Sequence, residues 1–313
     1  MPGSPPGLGD DVRLPLQARP TSSSRLNLSY HSLCNGKELL VPTVTGLFVY
    51  PVKSARGIAK SRVQIAATGF EWDRHWMIVD GKGRFITQRT HPKLARIVPE
   101  ITENSISLSA PGLSVLRVPL EPVGTEVPVQ VWDYHCMALD QGKEPQDWVC
   151  QAIGEPVRLV RVAPSMPRVA SAQYAGPTPA PLAFADGYPV LVCNEASLAD
   201  LNERLPEPIP MERFRPNLVL QGLPPFAEDR IASLHIGNIN LRLVKPCTRC
   251  IIPSTDQHTG ERSTDPTPAL RKFRFDRTLR GVTFGENATV DCGVGGYIER
   301  GTVCEVTYES NVS

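Results

Sequence analysis

The apolar positions of this chain fall in short runs separated by turn-forming residues, a pattern typical of β-strands. Residues 76–80 and 84–87 flank a glycine-containing loop at 81–83, which predicts a β-hairpin. The same pattern predicts further strands in the first half of the chain at residues 44–52, 105–109, 113–118 and 127–131. The first half is therefore expected to be rich in β-structure.

The second half continues this pattern. It predicts strands at residues 189–193, 217–221, 236–239, 240–244, 289–290 and 303–307. Two stretches instead favour helices: 145–153, with Trp148 and Val149 on its inner face, and 196–205, for which Asn194 is a good N-cap. The predicted fold class is mostly β with a few helices, in the α+β sense.

Proline-rich segments suggest how the chain is organised. Residues 1–43 begin with a stretch rich in Pro, Gly and Ser that has no hydrophobic period, and we predict a disordered leader there. A second such stretch, residues 163–181, is rich in Pro and Ala and is predicted to be a linker. These two segments delimit folded domains at 44–162 and 182–310.

Charge and hydropathy exclude several classes of protein. A net charge of +1 argues against general attraction to nucleic acid or acidic membranes. No apolar run reaches the roughly 18 residues that span a bilayer, and no secretion signal is present, so we predict a cytoplasmic protein. Arg13, Arg19 and Arg25 lie among serines and leave organelle targeting open, although Asp10 and Asp11 oppose it.

Among eight cysteines, only Cys247 and Cys250 lie close together in sequence. A thioredoxin-like pair would begin a helix, which Pro253 disfavours. A zinc site would need further ligands, and only His258 is nearby. Two buried structural thiols are a third reading. A fourth is a metal thiolate at Cys250, since neighbouring Arg249 and Lys245 favour a deprotonated thiol. The residues alone leave all four open.

The chain contains no Gly-rich dinucleotide motif and no Walker sequence, so a nucleotide site has no support. The plant-type cysteine spacing of iron–sulfur proteins is also missing. Any redox chemistry at Cys250 is therefore expected to draw electrons from a separate protein.

Several short segments recur in a characteristic order. They are Tyr-Pro-Val-Lys-Ser-Ala-Arg-Gly at 50–57, Asp-Arg-His-Trp at 73–76, Arg-Pro-Asn at 215–217 and Pro-Cys-Thr-Arg-Cys at 246–250, supported by Phe-Ala-Asp-Gly-Tyr-Pro at 184–189 and Phe-Gly-Glu-Asn at 284–287. Together they resemble the MOSC-domain family of molybdenum-cofactor proteins, in its amidoxime-reducing-component branch. The resemblance covers nearly everything except the leader.

The resemblance implies an N-terminal MOSC β-barrel region at 44–162 and a β-barrel-like MOSC domain at 182–310, with a molybdenum–molybdopterin cofactor between them. It makes Cys250 the metal ligand and catalytic centre. It implies a set of cofactor-binding residues: Lys53, Ser54, Arg74, Gly187, Tyr188, Arg215, Asn217, Thr248, Arg249 and Asn287. An anionic cofactor needs cationic side chains, and candidates for that role are Lys53, Arg56, Arg74, Arg89, Arg215 and Arg249.

The resemblance also implies an activity: two-electron reduction of N-hydroxylated compounds such as amidoximes, hydroxylamines and hydroxylated nucleobases. A cytochrome b5-like or iron–sulfur protein, with its own reductase, would supply the electrons. The alternative is a non-catalytic carrier or sulfur-transfer partner for the cofactor. The pyridoxal-binding part of the sulfurases that carry MOSC domains has no counterpart in this sequence.

Overall fold

The computed structural model describes residues 33–34, 37–38 and 41–309. The chain divides into two compact units, residues 1–39 and 40–313. In the first unit, β1 (Leu33–Cys34) pairs antiparallel with β2 (Lys37–Glu38). The rest of the predicted leader up to residue 40 lies outside the described residues, so the leader stays a prediction.

Strands make up most of the second unit. The first are β3 (Thr43–Val49), β4 (Ile58–Ala59), β5 (Arg62–Ala66), β6 (Gly69–Phe70), β7 (Trp76–Asp80), β8 (Val98–Ile101), β9 (Ser105–Ser109), β10 (Leu116–Pro119), β11 (Thr125–Val131), β12 (Tyr134–Asp140) and β13 (Val157–Val162). The others are β14 (Val190–Asn194), β15 (Leu218–Gln221), β16 (Ile231–Ile236), β17 (Ile239–Thr248), β18 (Phe275–Asp276), β19 (Gly281–Cys292), β20 (Tyr297–Glu299) and β21 (Glu305–Tyr308).

Helices are few and short, which confirms the predicted fold class. The α-helices are α1 (Lys143–Ile153), α2 (Ala172–Ala175), α3 (Glu195–Asn202) and α4 (Thr267–Phe273). Single 3-10 turns occur at Pro92–Arg96, Met211–Phe214, Ala227–Arg230 and Ile252–Ser254. Of the helices that the structure describes, none combines the length and the apolar character that crossing a membrane requires.

The largest sheet has the strand order β21-β16-β17-β19-β14-β15-β3-β4, with β18 added beside β19. Its central strand β14 is buried along its whole length. Successive side chains of a strand point to opposite faces. Val190 and Val192 accordingly join one apolar cluster, while Leu191 and Cys193 join another. This strand is therefore the shared wall of two cores.

A second sheet has the order β11-β12-β13-β7, and two three-stranded sheets have the orders β10-β9-β8 and β20-β5-β6. Helix α1 packs Trp148 and Val149 into the core beside β7 and β13, as its periodicity predicts. Trp76 on β7 is fully buried in the same core.

The observed elements agree with the predictions at β7, at β9 and at the start of α3, where the side chain of Asn194 accepts a hydrogen bond from the Ala196 N–H. One prediction was wrong. Residues 236–239 form a turn between β16 and β17, because Gly237 adopts a φ of +62°. The predicted hairpin is confirmed around its loop: Val79 forms an antiparallel bridge with Phe85, and the Ile86 N–H donates to the Ile78 carbonyl at 3.0 Å. Arg84 and Phe85 also interact with Gln130 of β11.

The segment predicted as a linker, residues 163–181, contains α2 and packs against its surroundings. Ala170, Ala175 and Ala180 are buried in a small apolar cluster, and Val169 forms a β-bridge with Pro181. Small side chains allow this segment to lie close to the residues that follow it, which line the site described next.

Candidate cofactor site

A cavity of about 490 Å³ lies between residues from both halves of the second unit. All the residues that the family resemblance implies for cofactor or metal binding line it: Lys53, Ser54, Arg74, Gly187, Tyr188, Arg215, Asn217, Thr248, Arg249, Cys250 and Asn287. They come from segments up to about 230 residues apart in sequence. The fold therefore brings this set together, and their roles toward a cofactor stay predictions.

The loop after β3 presents Lys53 and Ser54 to the cavity. The Lys53 backbone N–H donates to the Trp76 carbonyl at 2.7 Å, which ties this loop to β7. Within the loop, a Cβ at Gly57 would lie 2.5 Å from a ring carbon of Tyr50. Glycine is therefore required where the loop folds back over the tyrosine ring.

Tyr50 is a fully buried ring that contacts two cavity arginines. The guanidinium carbon of Arg74 lies 4.4 Å from the ring centroid and that of Arg215 lies 4.2 Å from it. Stacking on an aromatic face restrains a guanidinium group. Burial raises the pKa of the Tyr50 hydroxyl despite the two nearby cations. Tyr50 thus holds Arg74 and Arg215 in place while remaining neutral.

Hydrogen bonds fix Arg74 further. It forms an ion pair with Asp73, and its guanidinium donates to Asn217 Oδ1 at 3.2 Å. Asn217 Oδ1 also accepts from the Leu191 N–H, and its Nδ2 donates to the Phe48 carbonyl. Asn217 therefore uses both ends of its amide within the protein and acts mainly by orienting Arg74.

Arg215 is buried and donates to the Ala55 carbonyl at 2.7 Å and to Gln257 Oε1 at 3.1 Å. Burial lowers the pKa of Arg215 to about 10, so the group stays charged at neutral pH. Its contacts lock the Tyr50–Gly57 loop to the segment around Gln257.

A network of charged and aromatic groups occupies the side of the cavity near Lys53. The Lys53 ammonium pairs with Asp186 and donates to the Phe184 carbonyl at 2.7 Å. Asp186 also accepts from Trp132 Nε1 at 3.1 Å and lies 3.6 Å from Arg89. These donors, Lys53 foremost, hold the pKa of the Asp186 carboxyl well below its usual range, although its side chain is 56% exposed. Asp186 is therefore an anion throughout the physiological range.

The Cys247–Cys250 segment lies on the other wall of the cavity. The register of β17 against β19 shifts between Leu243 and Lys245 and again between Pro246 and Thr248. Such bulges turn side chains away from the regular alternation of a strand. They bring Lys245 and the cysteine segment to the cavity edge, where Cys250 is half-buried.

Arg249 interacts differently with the two cysteines. Its guanidinium donates to Cys247 Sγ at 3.0 Å and to the Phe214 carbonyl at 2.6 Å. Its Nε is buried and has no hydrogen-bond partner among the residues that the structure describes. Arg249 thus offers an unsatisfied donor beside Cys250, while Cys247 already has a protein partner.

The remaining candidates form the rest of the lining. Asn287 Nδ2 donates to the Lys245 carbonyl at 3.1 Å. Burial and the neighbouring Tyr174 raise the pKa of the Tyr188 hydroxyl to about 12. Thr248 is exposed, and a Cβ at Gly187 would contact nothing within 4 Å, which indicates open space there.

Four cavity residues adopt a left-handed backbone conformation that is unfavourable for side chains with a Cβ: Ser54, Arg74, Trp132 and Arg215. Their φ values are between +54° and +67°. Such strain is typically retained where the conformation aims a side chain at a site. Trp132 takes this conformation at the hairpin turn between β11 and β12, and its ring is 44% exposed.

Sequence reasoning did not single out every lining residue. Trp132 carries no motif signal, and Asp186 falls inside the segment 184–189 but resembled an ordinary surface acid. One expected cation was wrong. Arg56 does not line the cavity, because its guanidinium donates to the carbonyls of Gln257 and His258 instead.

The charge of the cavity fits an anionic group. Six cations and one carboxylate line it: Lys53, Arg74, Arg89, Arg215, Lys245, Arg249 and Asp186. The volume and the unsatisfied Arg249 Nε suit a phosphate-bearing heterocycle. Across residues 41–309 no group of three or more His, Cys, Asp or Glu side chains is arranged to hold a metal ion, as a structural zinc site requires. No helix begins at the cysteine pair, contrary to the thioredoxin-like arrangement.

Comparison with known proteins agrees with this arrangement. A family model described as MOSC N-terminal beta barrel domain matches residues 41–156, and one described as MOSC domain matches residues 179–305. Mitochondrial amidoxime-reducing component 1 of Mus musculus is 32% identical over 256 residues, covering 79% of this chain and 75% of that protein. The Homo sapiens protein of the same name is 32% identical over 244 residues, covering 75% and 72%.

A molybdenum cofactor sulfurase of Danio rerio is 30% identical over 260 residues, which cover 77% of this chain and 31% of the sulfurase. Both domain models and the matches to the amidoxime-reducing components, which cover about three quarters of each chain, thus lead to one assignment. The chain belongs to the MOSC-domain family, in the branch of the amidoxime-reducing components.

Proposed function

We propose that this protein binds a molybdenum–molybdopterin cofactor through Cys250 and reduces N-hydroxylated compounds by two electrons. In the reaction the N–O bond of an amidoxime, a hydroxylamine or a hydroxylated nucleobase breaks. Two electrons and two protons are consumed, and one molecule of water is released. The relatives named as amidoxime-reducing components support this reaction class.

One observation carries the proposal: the Cys250 thiol shares a cavity with six cations and one carboxylate. Arg249 next to Cys250, and Lys245 on the same wall, provide positive charge for an anionic group held at this sulfur. The Cys250 sulfur would complete the attachment of a metal already chelated by a pterin.

The other cavity residues would hold the cofactor. Lys53, Arg74, Arg215 and Arg249 present cationic donors for its anionic tail, and Arg74 and Arg215 are already restrained by Tyr50. The uncharged lining residues would surround the heterocycle: Ser54, Gly187, Tyr188, Asn217, Thr248 and Asn287. When bound, the cofactor supplies the redox chemistry, while the protein fixes its position and controls access.

The electrons would come from a separate protein, either a cytochrome b5-like or an iron–sulfur donor with its own reductase. The mouse and human relatives are named as mitochondrial proteins. For this chain we keep the cytoplasm as the predicted location, with organelle targeting by residues 1–43 as the alternative. Fractionation of cells that express the full chain distinguishes the two.

The decisive experiment compares Cys250→Ala with Cys247→Ala. Both proteins are purified from a molybdenum-replete host, and their molybdenum content, pterin fluorescence and benzamidoxime reduction with a chemical reductant are measured. We expect Cys250→Ala to lose metal and turnover, while Cys247→Ala keeps both because Cys247 is already bonded to Arg249. Unchanged molybdenum content and turnover in Cys250→Ala would refute the proposal.

The match to a molybdenum cofactor sulfurase favours one second candidate, a non-catalytic carrier or sulfur-transfer partner. A carrier would contain the cofactor but show no reduction of N-hydroxylated compounds. It would also transfer the cofactor, or a sulfur atom for it, to an apo-enzyme. Incubating the loaded protein with an apo-molybdoenzyme and measuring activation of that enzyme separates the two functions.

A further inference from the structure

A strongly basic segment lies outside the cavity, at residues 271–280, where α4 leads into the hairpin formed by β18 and β19. Four of its cations are exposed to solvent: Arg271, Lys272, Arg277 and Arg280. The whole chain has a net charge of only +1, so this concentration of charge is local. We call these four cations, together with Phe273 and Phe275, the basic surface.

Nearby acidic groups do not neutralise the basic surface. The Asp276 carboxylate accepts the Leu279 N–H at 2.7 Å and so closes the hairpin turn. Asp229 is used by Arg274, which lies inside the segment but forms a bidentate ion pair. None of the four exposed cations forms an ion pair within residues 41–309. Their charge is available to an external partner.

Two phenylalanines lie exposed among these cations. Phe273 is 37% exposed and Phe275 is 45% exposed. The Arg271 guanidinium lies 5.6 Å above the Phe275 ring, and that of Arg204 lies 4.5 Å above Phe273. Aromatic and arginine side chains are enriched at protein–protein interfaces.

The basic surface is directly connected to the Cys250 segment. Strand β19, which continues from the hairpin, pairs with β17 with Thr283 opposite Thr248. The Arg249 N–H donates to the Val282 carbonyl at 2.8 Å. The residues immediately before Cys250 are therefore hydrogen-bonded to the strand that begins at the basic surface.

We propose that the basic surface is the docking site for the electron-donor protein, and that this donor carries an acidic surface around its redox centre. The inference rests on the proposed function, which requires an external donor. Complementary charge raises the rate of encounter between two proteins and orients them. Docking here brings the donor's redox centre to the wall of the cavity that carries Cys250.

The test reverses three of these charges in one variant, Arg271→Glu/Lys272→Glu/Arg277→Glu. Arg280 is left intact because its backbone is left-handed, with a φ of +52°, and a change there can disturb the turn. The matched control is Lys82→Glu/Lys93→Glu/Arg117→Glu, which reverses three exposed cations that do not line the cavity. Equal thermal midpoints and molybdenum contents establish that all proteins are folded and loaded.

Turnover of benzamidoxime is then measured with two acidic donor probes, a soluble b5-type cytochrome and a plant-type ferredoxin, and separately with a chemical reductant. With at least one protein donor, we expect the basic-surface variant to lose about tenfold or more in kcat/KM for the donor at low salt. The difference should shrink as salt screens the charges, to about threefold or less near 0.5 M. Turnover with the chemical reductant should be unchanged.

The possible outcomes are distinct. If the wild type fails with the chemical reductant, the proposed function is wrong. If it succeeds there but accepts electrons from neither protein donor, or if both triple variants behave alike with a donor, the docking proposal is wrong. Loss of binding to vesicles containing anionic lipid, with donor-dependent turnover intact, assigns the surface to a membrane and also overturns the proposal.

Discussion

Arg249 donates a hydrogen bond to the Sγ of Cys247 across 3.0 Å. The same guanidinium bonds the Phe214 carbonyl, so a single side chain ties the cysteine segment to the 3-10 turn at Met211–Phe214. Both cysteines line the cavity, but they are not equivalent, because only Cys247 accepts a hydrogen bond from Arg249.

The first prediction follows from this arrangement. Cys247→Ala should cost about 0.5–1.5 kcal/mol of unfolding free energy, because it removes one hydrogen bond to a weak sulfur acceptor. Arg249→Met should cost more, about 2–3 kcal/mol, because it also leaves the Phe214 carbonyl without its donor. Urea unfolding of the two variants measures both values. Equal losses would show that the Phe214 contact contributes nothing.

The second prediction concerns Trp132. The turn between β11 and β12 has two residues, and Trp132 occupies the first with a φ of +56°. Glycine is favoured at that position. Trp132→Gly and Trp132→Ala lose the same contacts, so their difference isolates the backbone term. We expect the glycine variant to be more stable by about 1 kcal/mol, the reverse of the usual order. A more stable alanine variant in thermal unfolding would contradict the strain.

The third prediction concerns Glu286, a buried side chain whose Oε1 has no hydrogen-bond partner among the described residues. Burial, with Asp229 and Glu228 nearby, raises the pKa of Glu286 to about 9. Between pH 4.5 and 9 the folded state holds a proton that the unfolded state has released. The stability that Glu286 contributes below pH 4.5 is therefore lost progressively as the pH rises toward 9.

Glu286→Gln removes this proton uptake while keeping the shape of the side chain. We expect the unfolding free energy of the variant to equal that of the wild type near pH 4.5 and to exceed it by about 1–3 kcal/mol near pH 8. Chemical denaturation of both proteins at several pH values gives the difference curve. A curve that is flat with pH would show that Glu286 is ionised in the folded protein.

The fourth prediction concerns His75. Burial and the nearby Arg161 lower the pKa of His75 to about 4, and its Nε2 is buried without a partner within the described residues. The unfolded chain binds a proton at this histidine below pH 6.5, which the folded state does not bind until about pH 4. The contribution to stability is therefore complete above pH 6.5 and is lost as the pH falls toward 4.

As the pH falls from 6.5 to 4.5, the unfolding free energy of His75→Gln should decrease by about 1–2 kcal/mol less than that of the wild type. The exposed His135→Gln serves as the matched control and is expected to follow the wild type. Thermal unfolding at intervals of half a pH unit is sufficient. If the stability of the wild type and of His75→Gln changed equally with pH, His75 would be charged in the folded state.

Local patterns predict local structure well in this chain. Residues 76–80 and 105–109 alternate or cluster apolar side chains, and both are strands at those bounds. Asn194 caps α3 because its side chain is suited to accept the orphan N–H of the first turn. The strand predicted at 236–239 was wrong because Gly237, with its positive φ, makes a turn between two strands there.

In the site, too, the residues in motifs were predicted and those placed by long-range contacts were not. Lys53, Arg74 and Cys250 fall in recognisable motifs, so the sequence singles them out. Trp132 and Asp186 become part of the cavity only because the fold places them beside Lys53 and Arg89. No periodicity or spacing records a contact between residues 54 positions apart, and that is why these two side chains were not foreseen.

The ties that shape the cavity join distant parts of the chain. Lys53 pairs with Asp186 across 133 residues, Arg215 reaches Ala55 across 160, and Gln88 bonds Gln257 across 169. A ribosome-bound chain cannot close the last of these links, from Gln88 to Gln257, until residue 257 has emerged. Insertion of a cofactor must therefore follow synthesis of nearly the whole polypeptide, and a truncated product is expected to remain empty.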